Sequence, residues 1–315
     1  MDVNDKIIIP DISNGEEAAP IPVVNNINSD PPKNFSYLTS NTSTSKAYEF
    51  SNSAKSEAKH CDCDPKSGCK PGTCACENAS EIVFSTKDRI VLEPYSIQAY
   101  EHKYVNCSHN CFCKGKCQRQ LLPSYTAKKT FLKYKPEIGF GVFANQPISV
   151  GQPVCEYLGK IALRTEGNCP ETEYQLTSHI YGKPGIDEFV IDAIDGGNVS
   201  RFINHSCLPN LASVRVYSAI PDSRGIYPFP RMVFVAILNI KPGDQLTFYY
   251  GGDYFSLKNI PCYCYQHICY IPPKNYNKYR ESCEDFENRV EETNKYVNDH
   301  YEDTKDIERI LEILD

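Results

Sequence analysis

The chain has 315 residues, with 33 basic and 40 acidic side chains, a formal net charge of −7 and 41% apolar residues. That is enough for one large domain or two ordinary ones with a sizeable core. The acidic balance argues against a nucleic-acid backbone binder, which carries a basic excess, and leaves a basic peptide open as a partner.

No apolar run approaches the ~18 residues that cross a bilayer. The first residues, "MDVNDKIIIP", lack the basic start and apolar stretch of a signal peptide. An intracellular protein is expected, where disulfides are rare. Yet the chain holds 16 cysteines. Dense cysteine in a reducing compartment points to metal.

In chain order, residues 1–10 form a tail and residues 11–60 are mostly polar, with "PIPVVN" and "PPKNFSYL" as apolar points. They are predicted to be extended chain and loops rather than helix. Next come "CDCDPKSGCKPGTCAC" and "CSHNCFCKGKC", which place Cys61, Cys63, Cys69, Cys74, Cys76, Cys107, Cys111, Cys113 and Cys117 in two groups, each with a C-x-C core. Zinc takes four tetrahedral ligands and favours thiolate in structural sites. Nine thiolates fill three such ions if three of them bridge, so the count fits a trinuclear cluster. The competing reading is a disulfide framework. "SEIVFSTKDRI", between the groups, is predicted to be loop or short strands.

From Phe131 to Tyr250 the pattern is one of short strands. "GFGVFA", "PVCEYLG", "FVIDA", "ASVRVYSA" and "RMVFVAIL" are β-branched or aromatic runs bounded by Gly, Pro, Asn and Asp, and "KPGDQLTFYYGG" gives turn, strand and break. Small curved sheets are expected. Within this stretch "RFINHSCLPN" sets Asn204, His205 and Cys207 close together. Beyond it "CYCYQHIC" supplies Cys262, Cys264 and Cys269, three thiolates that leave one tetrahedral position. Cys207 completes that set, which favours a ligand over an activated nucleophile. Cys155, Cys169 and Cys283 are scattered and carry no motif.

From Glu281 onward there are 13 acidic and 4 basic residues. Phe286, Val290, Val297, Ile307, Leu311 and Leu314 fit spacings of three and four with Thr293, His300 and Thr304 filling the gaps, which predicts an amphipathic helix. Docking of that helix on its own domain competes with a coiled coil.

Together these motifs resemble the SET-domain protein lysine methyltransferases of the Suv39 type, which act on lysine 9 of histone H3. "DISNGEEAAPIPVVN", "PPKNFSYL" and the nine-cysteine spacing resemble the pre-SET region. "GFGVFA" resembles the loop that binds S-adenosyl-L-methionine (AdoMet). "EYLGK", "GGNVSRFINHSCLPNL" and "LTFYYG" resemble the core SET motifs, and "CYCYQHIC" the post-SET motif. The resemblance implies a mostly β SET fold with a knot-like crossing, a loop-rich pre-SET zinc region before it and a post-SET zinc site and C-terminal helix after it. The implied divisions are pre-SET 11–125, SET 126–255, post-SET 256–275 and an acidic extension 276–315.

Roles follow by resemblance. Asn204 and His205 would hold AdoMet, Ile138, Gly139 and Phe140 would contact it through the backbone, and Tyr174 would lie beside it. Tyr250 would be the catalytic tyrosine, with Tyr157 and Phe248 lining the lysine channel. Three zincs would sit in the nine-cysteine cluster and a fourth on Cys207, Cys262, Cys264 and Cys269. The implied partners are the histone H3 tail and chromatin-targeting proteins, with neither sequence-specific DNA binding nor a membrane. The implied location is the nucleus, on chromosomes. The chain departs from the family pattern at Phe140 (usually tryptophan), Tyr249 (usually acidic) and Gln245 (usually glutamate). Thr177, Ser178 and His179 replace acidic residues of the peptide groove. The rival readings are a lysine methyltransferase for another protein and an inactive zinc scaffold.

Overall fold

The computed structural model describes the chain apart from residues 2–3, 58, 65–72, 82, 86–88, 92–102, 108–109, 115–129, 167–171, 180–187, 219–228, 275–280 and 301–315. The expected mostly β architecture is present. Short strands, too brief to form one large surface, close into three four-stranded sheets. The first runs in the order Ile7–Ile9, Val23–Val24, Thr130–Lys135, Gly139–Ala144. The second is Pro153–Glu156, Arg231–Ala236, Leu211–Tyr217, Lys103–Val105. The third is Gln175–His179, Glu188–Asp192, Lys160–Leu163, Thr42–Ser43. "SEIVFSTKDRI" forms the paired strands Val83–Ser85 and Arg89–Val91.

The N-terminal third is stitched into every one of these sheets. Val23 pairs with Leu132, Thr42 with Lys160, and Lys103 with Arg215; each ladder is parallel. A fourth parallel ladder joins Ser36–Tyr37 to Gly196–Gly197. Parallel neighbours cannot be joined by a tight turn, so these pairings come from distant parts of the chain. Phe189, Ile191, Phe234, Leu132, Ile203 and Leu211, all buried, form the shared core between the sheets.

Residues 11–60 are not all extended as expected, because Ser45–Glu57 is a helix. Thr44 starts it: its Oγ1 accepts the Ala47 N–H at 3.2 Å. Ala47 is buried and the Phe50 ring packs 5.0 Å from Phe229, which in turn lies 5.1 Å from Phe189. The Ser- and Asn-rich sequence has weak intrinsic preference, and the tertiary contact decides.

The C-terminal helix, Cys283–His300, is docked on its own domain. Thr293 and Val297 are buried, while Phe286 and Val290 are half-buried on the same face. Ile307, Leu311 and Leu314 lie outside the described residues. Thr293 Oγ1 accepts the Asn239 N–H at 3.2 Å and donates to the Arg289 carbonyl at 2.8 Å. Among the described residues no helix is long and apolar enough to cross a membrane. Thr293→Val should cost about 1–2 kcal/mol in urea unfolding, because a buried N–H loses its acceptor. Glu292→Gln breaks only an exposed pair with Lys241 and should change stability by less than about 0.5 kcal/mol.

Candidate active site

A cavity of about 1300 Å³ is lined by Ile138, Gly139, Phe140, Tyr157, Tyr174, Asn204, His205, Phe248 and Tyr250. The fold thus brings to one place every cofactor-contact and channel residue expected from the sequence. The means is a crossing. Asn204–His205 and Thr247–Phe248 pair in parallel, Asn204 opposite Thr247 and His205 opposite Phe248. Ser206 N–H continues the ladder to the Phe248 carbonyl at 3.1 Å. Asn210, buried, clasps the second segment from both sides: its Nδ2 donates to the Gln245 carbonyl and its Oδ1 accepts the Thr247 N–H, each at 2.9 Å.

The Gly139–Ala144 strand runs beside this crossing, and Leu246 N–H donates to the Val142 carbonyl at 2.8 Å. Gly139 has a φ of +74°, a conformation open to glycine at little cost. Asn204 Nδ2 donates to the Phe140 carbonyl at 3.2 Å. The contact is close because Gly141 has no side chain. A Cβ there would lie 2.6 Å from Gln245 Nε2 and 2.9 Å from Asn204 Nδ2.

Aromatic rings make the opposite wall. Phe248 packs 4.6 Å from Phe234 and 4.7 Å from Tyr250, centroid to centroid. The Tyr157 hydroxyl donates to the Tyr174 carbonyl at 2.7 Å, and the Tyr250 hydroxyl to the Ile203 carbonyl at 2.8 Å. Burial pushes both phenols above their usual range, so both are neutral at physiological pH. His205 is turned inward. Its Nδ1 accepts the Tyr250 N–H at 3.1 Å and its Nε2 lies 3.4 Å from Cys207 Sγ. Burial lowers its pKa to about 4, so the ring is neutral.

Three residues had no role in the sequence reading. Besides Asn210, Tyr254 stands edge-on to Tyr250 at 4.9 Å. Arg201, buried, has its guanidinium 4.0 Å over the Tyr174 ring and donates from Nη1 to the Ala193 and Ile194 carbonyls at 2.9 Å. Its buried Nε has no hydrogen-bond partner among the described residues. The signal available in sequence was their place beside "FINHSC" and "YYG".

The cysteines gather as their spacing suggested, and all the described ones are free thiols. The disulfide reading therefore falls for them. Cys61, Cys74, Cys76 and Cys107 hold their sulfurs within 4.8 Å of one another, as do Cys207, Cys262, Cys264 and Cys269. Zinc–sulfur bonds of about 2.3 Å at tetrahedral angles put sulfurs about 3.8 Å apart. Cys61 to Cys107 and Cys76 to Cys111 both measure 3.8 Å. Cys63, Cys111 and Cys113 belong to the first group's buried cluster, whereas Cys69, Cys117 and Cys169 lie outside the described residues. In the second group, hydrogen bonds from the Cys207 and Cys262 thiols hold Cys264 well below the usual thiol range, and hydrogen bonds with Cys207 and Cys264 push Cys262 up. Four thiols this close ionise together only around a cation, so both donor sets fit a metal such as zinc.

Gly141→Ala should lower stability by about 1–3 kcal/mol in denaturant titration through overpacking against Gln245 and Asn204. Gly252→Ala, whose Cβ would meet only the Tyr249 hydroxyl at 3.5 Å, should be neutral or slightly stabilising.

Comparison with known proteins places these features. The SET domain pattern matches residues 139–251 and the Pre-SET motif residues 13–120. Human histone-lysine N-methyltransferase EHMT1 is 33% identical over 263 residues, 82% of this chain and 19% of its own length. The H3 lysine-9 specific histone-lysine N-methyltransferase SUVH1 of Nicotiana tabacum is 29% identical over 273 residues, 82% of this chain and 36% of its own. This chain therefore spans only a fifth to about a third of the length of these relatives. The crystal structure of KRYPTONITE in complex with mCHH DNA, H3(1-15) peptide and SAH superposes with a TM-score of 0.63 at 26% identity, covering 86% of this chain and 54% of that one. The chain belongs to the SET-domain family, with a pre-SET motif ahead of its SET domain, alongside the Suv39, SUVH and EHMT histone-lysine methyltransferases.

Proposed function

We propose that the protein is an AdoMet-dependent lysine N-methyltransferase that acts on the histone H3 tail at lysine 9, adds two or three methyl groups, and serves chromatin silencing in the nucleus. One observation carries the reading: the aromatic wall of Tyr157, Phe248 and Tyr250 and the polar groups of Asn204, Arg201 and the Phe140 backbone border a single cavity. The H3 lysine-9 specificity of tobacco SUVH1 and the H3(1-15) peptide of the KRYPTONITE complex support histone H3 and lysine 9 as substrate.

The residues fit the cofactor. Gly139 leaves backbone open to it, Asn204 and His205 border the site, and the orphaned Nε of Arg201 suits a carboxylate. AdoMet supplies an electrophilic methyl group on a sulfonium. The acceptor must be a neutral amine, whereas free lysine has a pKa of about 10.4. The aromatic wall desolvates the amine and disfavours its ammonium form. Because Tyr157 and Tyr250 are themselves neutral, they add no anion to oppose that effect. Tyr250, pinned at hydroxyl and backbone, orients the amine for in-line attack. Phe248 carries no hydroxyl, which leaves room for an amine already bearing methyl groups. The Gln175–His179 strand pairs with Glu188–Asp192 on one side, and its residues 175–178 line the cavity, a place for an extended peptide. Thr177 and Ser178 there are uncharged, which favours as second reading a lysine in a non-histone protein. Recombinant H3 and its Lys→Arg variants, incubated with labelled AdoMet and read by mass spectrometry, decide between them. Label on lysine 9 is the expected result, and label on H3 lacking that lysine would overturn the assignment.

Three further outcomes are expected. Tyr250→Phe should keep AdoMet affinity by calorimetry and lower turnover about 10²-fold. The rise of rate with pH should keep its shape in that variant, since the substrate amine titrates and the tyrosine does not. Phe248→Tyr should shift the final product toward mono- or dimethyl-lysine while sparing the first transfer; a uniform loss at every step would instead mean overpacking. Elemental analysis should find four zincs per chain, three with the cluster that starts at Cys61 and one with Cys207, and a ratio near one would exclude the trinuclear assignment.

A further inference from the structure

Two ring nitrogens of His205 have two different partners. Nδ1 accepts the Tyr250 N–H at 3.1 Å, so it carries no proton. A neutral imidazole has one N–H, and that proton therefore sits on Nε2. Nε2 faces Cys207 Sγ at 3.4 Å. The bond then runs from the Nε2 N–H to the Cys207 sulfur. That sulfur belongs to the four-cysteine set of Cys207, Cys262, Cys264 and Cys269, and an outer hydrogen-bond partner and a metal ligand orient each other.

We infer that His205 is a positioning residue that ties the four-cysteine centre to Tyr250: the Cys207 sulfur, held in that centre, takes the Nε2 hydrogen bond, and the ring fixes the backbone of Tyr250. The opposite end of Tyr250 is held by the Ile203 carbonyl at 2.8 Å, so residues 203 and 205 grip the phenol from both ends. Phe255, 4.7 Å from the imidazole, and Tyr249, 5.4 Å from it, hold the ring plane against rotation. Loss of metal frees the Cys207 side chain to move, and the ring then loses its fixed acceptor. The centre, whose Cys262 and Cys264 border the cavity, thereby sets the geometry of the aromatic wall. The inference rests on the proposed function for its consequence in catalysis, but its geometry is independent of it.

The test uses the full chain loaded with a spin-half cadmium isotope in place of zinc, with isotope-labelled histidine, and no cofactor or peptide. Nuclear magnetic resonance should show the His205 ring proton on Nε2, with a scalar coupling from that proton to the cadmium ion across the N–H···S bond. A ring proton on Nδ1, or an Nε2 proton with no cadmium coupling, would overturn the inference. A second measurement compares His205→Phe, which keeps the ring packing and all four cysteines. The Tyr250 amide should exchange with solvent about tenfold faster than in the parent protein, while the amides of the Arg231–Ala236 strand keep their rates. Equal exchange at Tyr250 would overturn it too. Since neither measurement involves methyl transfer, a protein that failed to methylate any lysine would leave this result standing, and the reverse also holds.

Discussion

The site depends on one pairing, the short parallel ladder between Asn204–His205 and Thr247–Phe248. Two-residue strands are weak alone. This one persists because Asn210 satisfies backbone groups on both sides of residue 246 and because His205 and Ile203 each hold one end of Tyr250. Side chains of the first segment thus do the work that a longer ladder would do elsewhere. The consequence is precision: the phenol, the Asn204 amide and the Phe140 carbonyl are set by the same few bonds.

The surrounding sheets supply rigidity from a distance. Every four-stranded sheet takes at least one strand from the first 105 residues, joined to the later strands by a parallel ladder. The N-terminal region therefore cannot be separated from the later sheets without exposing sheet edges. Its own interior has little hydrocarbon. Around Cys61, Cys74, Cys76 and Cys107 the buried side chains are mainly thiols, joined by Val105 and Tyr217. A thiol-rich segment of this kind would gain folding energy from a bound metal more than from burial of apolar surface. The Lys103–Val105 strand, beside Leu211–Tyr217, carries that rigidity to the core.

Electrostatically, the part of the cavity around Tyr157, His205, Phe248 and Tyr250 is built from neutral groups. Its phenols are kept protonated by burial, its histidine is kept neutral, and Arg201 is satisfied largely by carbonyls and ring faces. A wall of this kind tolerates a cationic cofactor and destabilises an ammonium without any charged acid or base. Asp30, Glu137, Glu173 and Asp253 also line the cavity, and many of the chain's other acidic residues sit on the C-terminal helix, where water screens them.

By itself the sequence determined the features whose chemistry is local. Thiol spacing disclosed both cysteine sets, because C-x-C pairs mark each of them and three thiolates at 262–269 leave one tetrahedral position for a fourth. β-Branched runs bounded by glycine and proline disclosed most strands, and "NHSC" with "TFYYG" disclosed the place of the cavity. The tertiary structure decided what depends on remote partners. Ser45–Glu57 became a helix because Ala47 and Phe50 found a surface that its composition does not announce. The parallel register of Val23, Thr42 and Lys103 against later strands left no periodic trace, since two- and three-residue strands are too short to show one. The inward turn of His205 and the stacking of Arg201 on Tyr174 were likewise invisible, because a side chain's direction is fixed by the groups the fold brings around it.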